Sequence, residues 1–158
     1  MSRKKIKDKR RNRMKIDLST EILGLDDKPF TTGEVKTVQK TDDAGELVFD
    51  ANQNPVMVSK PVALTMRAAL LMAYVNPPTP QQTINLTEKV ARGAMAMRLH
   101  SAKRFIEFTT EEISKAKTLV SDVIGSPVAM LRIVSILDPA SVPKEPLAAV
   151  DDEAEAKA

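Results

Sequence analysis

The chain has 158 residues, with 24 Lys or Arg against 21 Asp or Glu, a formal net charge of +3 and no cysteine. That length suits one domain with tails, and the missing cysteine excludes disulfides, thiolate metal sites and a Cys nucleophile. With four Phe, one Tyr and no Trp, a core has to come from Val, Ile, Leu, Ala and the eight Met.

Charge is concentrated at the start. Arg3, Lys4, Lys5, Lys7, Lys9, Arg10, Arg11, Arg13 and Lys15 are cations, and only Asp8 is acidic among them. Residues 1–13 bury too little apolar surface to offset their ordering entropy and read as a disordered basic arm. No apolar stretch follows, so this is not a secretory signal, and no run of about 18 apolar residues exists to span a membrane. Three readings of the arm stand side by side. It contacts nucleic acid without sequence preference, through counterion release; it docks on an acidic surface of a partner, a sister subunit or the chain's own acidic tail; or it is a translated leader, with the true start at Met14. No aromatic residue is interleaved with the cations for base stacking.

Residues 14–138 read as a single α+β domain. Ile16, Leu18 and Ile22 alternate with polar residues as a strand would. GEVKTVQ is a weaker strand, and ELVFD and PVMVS are short apolar runs. DDKP, TDDAG and ANQNP supply the turns between them. A small antiparallel meander is expected.

Helices follow. ALTMRAALLMAYV is apolar almost all round and must stop at Asn76, before Pro77. The next helix has two possible starts. One is Thr79-Pro80 with Gln82; the other is Asn85, with Glu88 reaching back. Either start places Leu86, Val90, Gly93, Ala94 and Met97 on one face. A close helix contact over the flat Ala91–Gly93–Ala94 surface would offset the helix cost of Gly93.

The stretch FTTEEISKAKTLVSDVIGSP carries the sharpest local signal. Thr109 caps, Glu112 completes a capping box, and Phe108 staples onto Ile113. Ile113, Ala116, Val120 and Val123 form the buried stripe. Gly125 is expected to end the helix in the left-handed conformation, and Ser126-Pro127 starts the next at once, giving an αα-hairpin. In PVAMLRIVSIL only Arg132 and Ser135 are polar, so this helix is either central or covered by a partner. Met130, Ile133, Val134 and Leu137 are its candidate partner-binding residues. Residues 139–158, Pro-rich and then acidic, read as a disordered tail.

Signs of chemistry are weak. His100 is the only histidine and lacks the neighbours a zinc site needs. Asp50, Asn52 and Asn54 resemble the start of a calcium loop, but Pro55 and Pro61 stand where Gly and a bidentate Glu are required; a turn explains them better. The glycines are isolated, so there is no phosphate loop. Glu111 and Glu112 are explained by capping. Neither catalytic residues, nor a cofactor, nor a metal is expected. Met66, Met72, Met95, Met97 and Met130 are read as filling the core, with an adaptable binding surface as the alternative.

From Met14 onward the chain resembles a set of small proteins of tailed bacteriophages. The segments that carry this are MKIDLSTEILGLDDKPF, LTMRAALLMA and FIEFTTEEISKAKTLVSDVIGSPVAMLRIVSILD, with Thr31–Pro61 as an inserted hairpin. The resemblance implies a non-enzymatic protein of head or tail assembly, a minor virion component or tail-assembly factor. It would act in the host cytoplasm or the virion, through contacts with phage structural or assembly proteins or with further copies of itself. The alternative is a small nucleic-acid-binding regulator using the basic arm.

Overall fold

A computed structural model describes residues 13–76 and 83–143. The order is β1 (Arg13–Asp17), β2 (Thr31–Gln39), β3 (Met57–Ala63), α1 (Met66–Val75), α2 (Leu86–Ser101), β4 (Phe105–Thr109), α3 (Thr110–Val123) and α4 (Pro127–Leu137), with a 3₁₀ turn at Pro139–Ser141. The α+β class expected from the sequence is what the chain adopts. The strands do not form one meander. They divide into two antiparallel pairs, β1–β4 and β2–β3. β1 finds its partner across most of the domain, with Ile16 opposite Ile106 and Asp17 opposite Phe105.

The period-2 alternation of β1 turns Ile16 inward, and Leu18 follows it; β4 contributes Ile106 and Phe108. On these pack Met66, Ala69, Leu70, Ala73 and Tyr74, the inner stripe of α1. Ile113, Ala116, Leu119 and Val120 of α3 and Ala129, Ile133 and Leu137 of α4 complete the core. No described polar or charged residue is buried.

Local chemistry sets the helix ends. Thr65 caps α1, accepting from the Ala68 N–H, and the Thr20 and Leu18 carbonyls take the Met66 and Arg67 N–H groups. The helix ends at Asn76, as Pro77 requires. α2 starts at the second expected position, where Asn85 Oδ1 accepts from the Glu88 N–H at 2.8 Å. The other expected start, Thr79-Pro80, lies outside the described residues. The Glu88 carboxylate does not reach back to the cap; it takes Arg92 at 2.9 Å and Lys115 of α3 at 2.8 Å instead. The capping box of α3 is complete, with Glu112 Oε2 accepting from the Thr109 N–H at 2.8 Å and Thr109 Oγ1 from the Glu112 N–H at 3.2 Å. The αα-hairpin is present, but Gly125 is not left-handed. The turn runs through Ile124 in an extended conformation, and Ser126 then caps α4.

β2 and β3 form a long hairpin that packs almost wholly on itself. From Thr31 to Ala63 no residue is buried. Its tip folds back twice. Asp42 Oδ1 accepts from the Ala44 and Glu46 N–H groups, and Asp50 Oδ1 from the Asn52 and Asn54 N–H groups, all at 2.8–2.9 Å. Each turn closes through a left-handed residue, Gly45 at φ 82° and Gln53 at φ 61°. The calcium-like DANQN stretch is therefore a turn whose carboxylate serves its own backbone. Between the turns, Val48 bonds Lys40, Lys40 bonds Val56 and Val56 bonds Val48 through backbone groups.

Candidate functional site

α1 is apolar on nearly every side, so filling the core with one stripe leaves a second to be covered. α2 covers it only in part. Leu71, Met72 and Val75 of α1 face Ala96, Met97 and His100 of α2 across an open groove of about 650 Å³. Val75 is 66% exposed and Met97 74%. A smaller hollow of about 390 Å³ adjoins it, lined by Tyr74, Ile84, Arg92, Gly93 and Ala96.

The orientation of α2 leaves the close helix contact expected over Ala91–Gly93–Ala94 unmade. Leu86, Val90 and Met97 share a face, and that face is turned to solvent. A Cβ on Gly93 would meet nothing within 4 Å, so among the described residues no helix packs closely over it. The inner side of α2 carries Glu88, Arg92, Met95, Ala96 and Leu99, of which only Leu99 is fully buried. Burial of Leu99 holds this side inward, and two ion pairs accompany it. Glu88 meets Lys115, and Arg98 meets Glu112 at 2.7 Å, both across to α3. The two cations beside Glu88 hold its carboxyl below the usual carboxylate range. From α1, Arg67 donates to the carbonyls of Leu99, His100 and Lys103, satisfying the end of α2. These contacts fix the groove walls. The Tyr74 hydroxyl is buried with no hydrogen-bond partner, and burial, with Glu112 and Glu88 nearby, pushes its pKa up to about 12.

The other candidate residues scatter. Arg3, Lys4, Lys5, Lys7, Lys9, Arg10 and Arg11 lie outside the described residues. Arg13 and Lys15 belong to β1; Arg13 lies 3.7 Å from Glu107, and the Lys15 ammonium sits 4.2 Å from the centre of the Phe105 ring. On α4 the four partner candidates separate. Ile133 and Leu137 point into the core and offer no surface, because the stripe they share with Ala129 closes the domain. Met130 and Val134 are half-buried, and Leu131, which sequence reasoning passed over, is 53% exposed. The methionines also divide: Met66 is fully buried, while Met72 and Met97 line the groove. His100 is exposed in the last turn of α2. Among the described residues, no group of three or more His, Asp or Glu is placed to hold a metal ion, and no helix is long and apolar enough to cross a membrane. No family model matches the chain, and neither do curated proteins or solved structures.

Proposed function

We propose that this is a non-enzymatic bacteriophage protein that works by holding another protein, as a minor virion component or a tail-assembly factor in the host cytoplasm. The observation that carries the docking part is the α1–α2 groove. Its walls are aliphatic and thioether side chains, and its rim leaves Val75 and Met97 in water. Covering apolar surface is worth about 25 cal/mol per Å², and contiguous exposed patches mark contact sites. A groove between two helices suits the apolar face of a partner helix, with anchors at helical spacing. Met72 and Met97 let the walls adapt to that face. Met130, Val134 and Leu131 on α4 are further apolar side chains at the surface. The phage part rests on the likeness of the three segments quoted above to small tailed-phage proteins.

The test is photo-crosslinking in infected cells. A crosslinkable residue at Met97 is expected to capture a head or tail protein, while one at Asn52, in the exposed tip, captures none. Normal phage yield with Met97→Asp, together with no adduct to a structural protein, would overturn the proposal. Mass spectrometry of purified virions separates the virion component from the assembly factor.

A further inference from the structure

β2 is nine residues long and is paired along one side only, to β3. The phase of that pairing is fixed by two backbone bonds. The Lys40 N–H donates to the Val56 carbonyl at 2.7 Å, and the Asp42 N–H to the Glu46 carbonyl at 2.9 Å. Backbone groups alternate in direction along a strand, so Lys36 and Val38 also bond toward β3, while those of Val35, Thr37 and Gln39 turn away from it. None of the described hydrogen bonds outside the ladder uses these outward groups. The tip does not cover them either, because Val48 and Val56 close on Lys40 from the β3 side.

The two outer edges of the hairpin differ. On β3 the same phase puts Pro61 outward, where its missing N–H interrupts any further ladder. β2 has no proline, and its bulge lies at the base end, where Gly33 takes φ 86°. Its outward-bonding residues, Val35, Thr37 and Gln39, are all uncharged. Native proteins manage exposed strand edges with blocking devices, and a two-stranded hairpin is marginal where three or more strands are not. With an open edge and no buried residue from Thr31 to Ala63, this hairpin is an incomplete sheet.

Charge indicates which strand completes it. Among the described residues, Glu34, Lys36 and Lys40 have no ion-pair partner within 4.0 Å. Lys36 lies directly opposite Lys60, so an added strand that brought more cations would be repelled. A second β2 meets the requirement. Laid antiparallel about a two-fold axis at Thr37, it sets Thr37 against Thr37, Val35 against Gln39 and Lys36 against Val38, and brings Glu34 of each copy beside Lys40 of the other. This register keeps all the residues from Val35 to Gln39 paired inside β2, with no like charges opposed. We infer that β2 is a self-association edge, through which two copies join into a four-stranded antiparallel sheet in the order β3–β2–β2–β3. The contact is isologous, and Pro61 at both outer edges stops the sheet at two chains. Five paired residues span about 17 Å, so the interface is small and the dimer weak unless copies are held close together. This edge shares no residue with the α1–α2 groove, so it stands or fails independently of the docking reading.

The test exploits the absence of cysteine from the chain. Thr37→Cys is expected to give a disulfide-linked dimer on mild oxidation, because facing Cα atoms of an antiparallel pair lie about 5.5 Å apart, within reach of a disulfide. Ser59→Cys, also exposed but on the Pro61 edge, is expected to stay monomeric. In light scattering up to about 1 mM chain, the mass rises toward that of two chains and no further. Thr37→Pro, which removes an outward N–H, abolishes the rise, and Ser59→Pro leaves it. Glu34→Lys weakens association about 2- to 30-fold, the worth of two exposed ion pairs, and adding Lys40→Glu restores it. Circular dichroism of each variant checks that the fold is kept. The mass of one chain throughout would overturn the inference, as would equal crosslinking at the two cysteine positions or growth beyond two chains. Association lost with Met97→Asp but kept with Thr37→Pro would move the contact to the groove and sink it too.

Discussion

The helical body and the β2–β3 hairpin are built on opposite terms. In the body every element contributes to one shared core, and Phe108, Leu70, Ile133 and Leu137 are sealed from solvent. The hairpin has its own backbone ladder but no interior: Val35, Leu47, Phe49 and Met57 are all exposed. Its order comes from two Asp-closed turns and a ladder of its own. Isolated hairpins are marginal in water, so its stability is borrowed from the anchor at its base, where Ile22 bonds Leu64 and Leu64 bonds Phe30. Hydrogen bonds give the hairpin its shape, while burial gives the body its stability.

The sharpest way to break that contrast is to remove a phenyl ring from each side. Phe108→Ala should cost about 3–5 kcal/mol in urea unfolding, the price of an emptied core site. Phe49→Ser should move stability by less than about 0.5 kcal/mol. Equal losses would mean that the hairpin packs on something. Next in size is Arg67→Met, which keeps the aliphatic stem and strips the carbonyls of Leu99, His100 and Lys103 of their donor. A loss of about 2 kcal/mol is expected, with faster amide exchange at the end of α2.

The smallest effect sharpens the comparison by pH. Asp17, beside Arg104 and Ser19, has its carboxyl held well below the usual carboxylate range; Lys117 lowers that of Asp138. A carboxyl whose folded pKa is depressed contributes stability that is present above its unfolded value, about 3.9. That contribution is lost as pH falls through the folded pKa. The thermal midpoint should therefore drop below about pH 4, and less steeply in Asp17→Asn. Because the Asp17–Arg104 pair is solvent-exposed, the difference is modest and shrinks with salt. An identical acid profile for the two proteins would remove Asp17 from the account.

Much of this molecule is written locally. Thr109 and Glu112, Asn85, Ser126-Pro127 and the Asn76-Pro77 stop mark helix ends by chemistry acting within a few residues, and each marks an end in the structure. The Asp42 and Asp50 turns are legible for the same reason. Which face of α2 turns inward is not legible locally, because periodicity groups Leu86, Val90 and Met97 without saying whether their side is buried. Gly125 was misread because an extended Ile124 makes the turn that a left-handed glycine was expected to make.

By itself, then, the sequence determined where helices begin and end, which turns close and that α+β elements would share a mainly aliphatic core, which proves rich in Ile, Leu and Ala. Those choices are settled by hydrogen bonds and sterics among near neighbours. Only the tertiary structure decided that β1 pairs with β4, that α2 turns Leu99 inward and Leu86, Val90 and Met97 outward, and that the Lys15 and Arg104 cations sit over the Phe105 ring. The α1–α2 groove arises at that second level, because it requires groups far apart in the chain to meet, and only the closing of the shared core fixes which ones do.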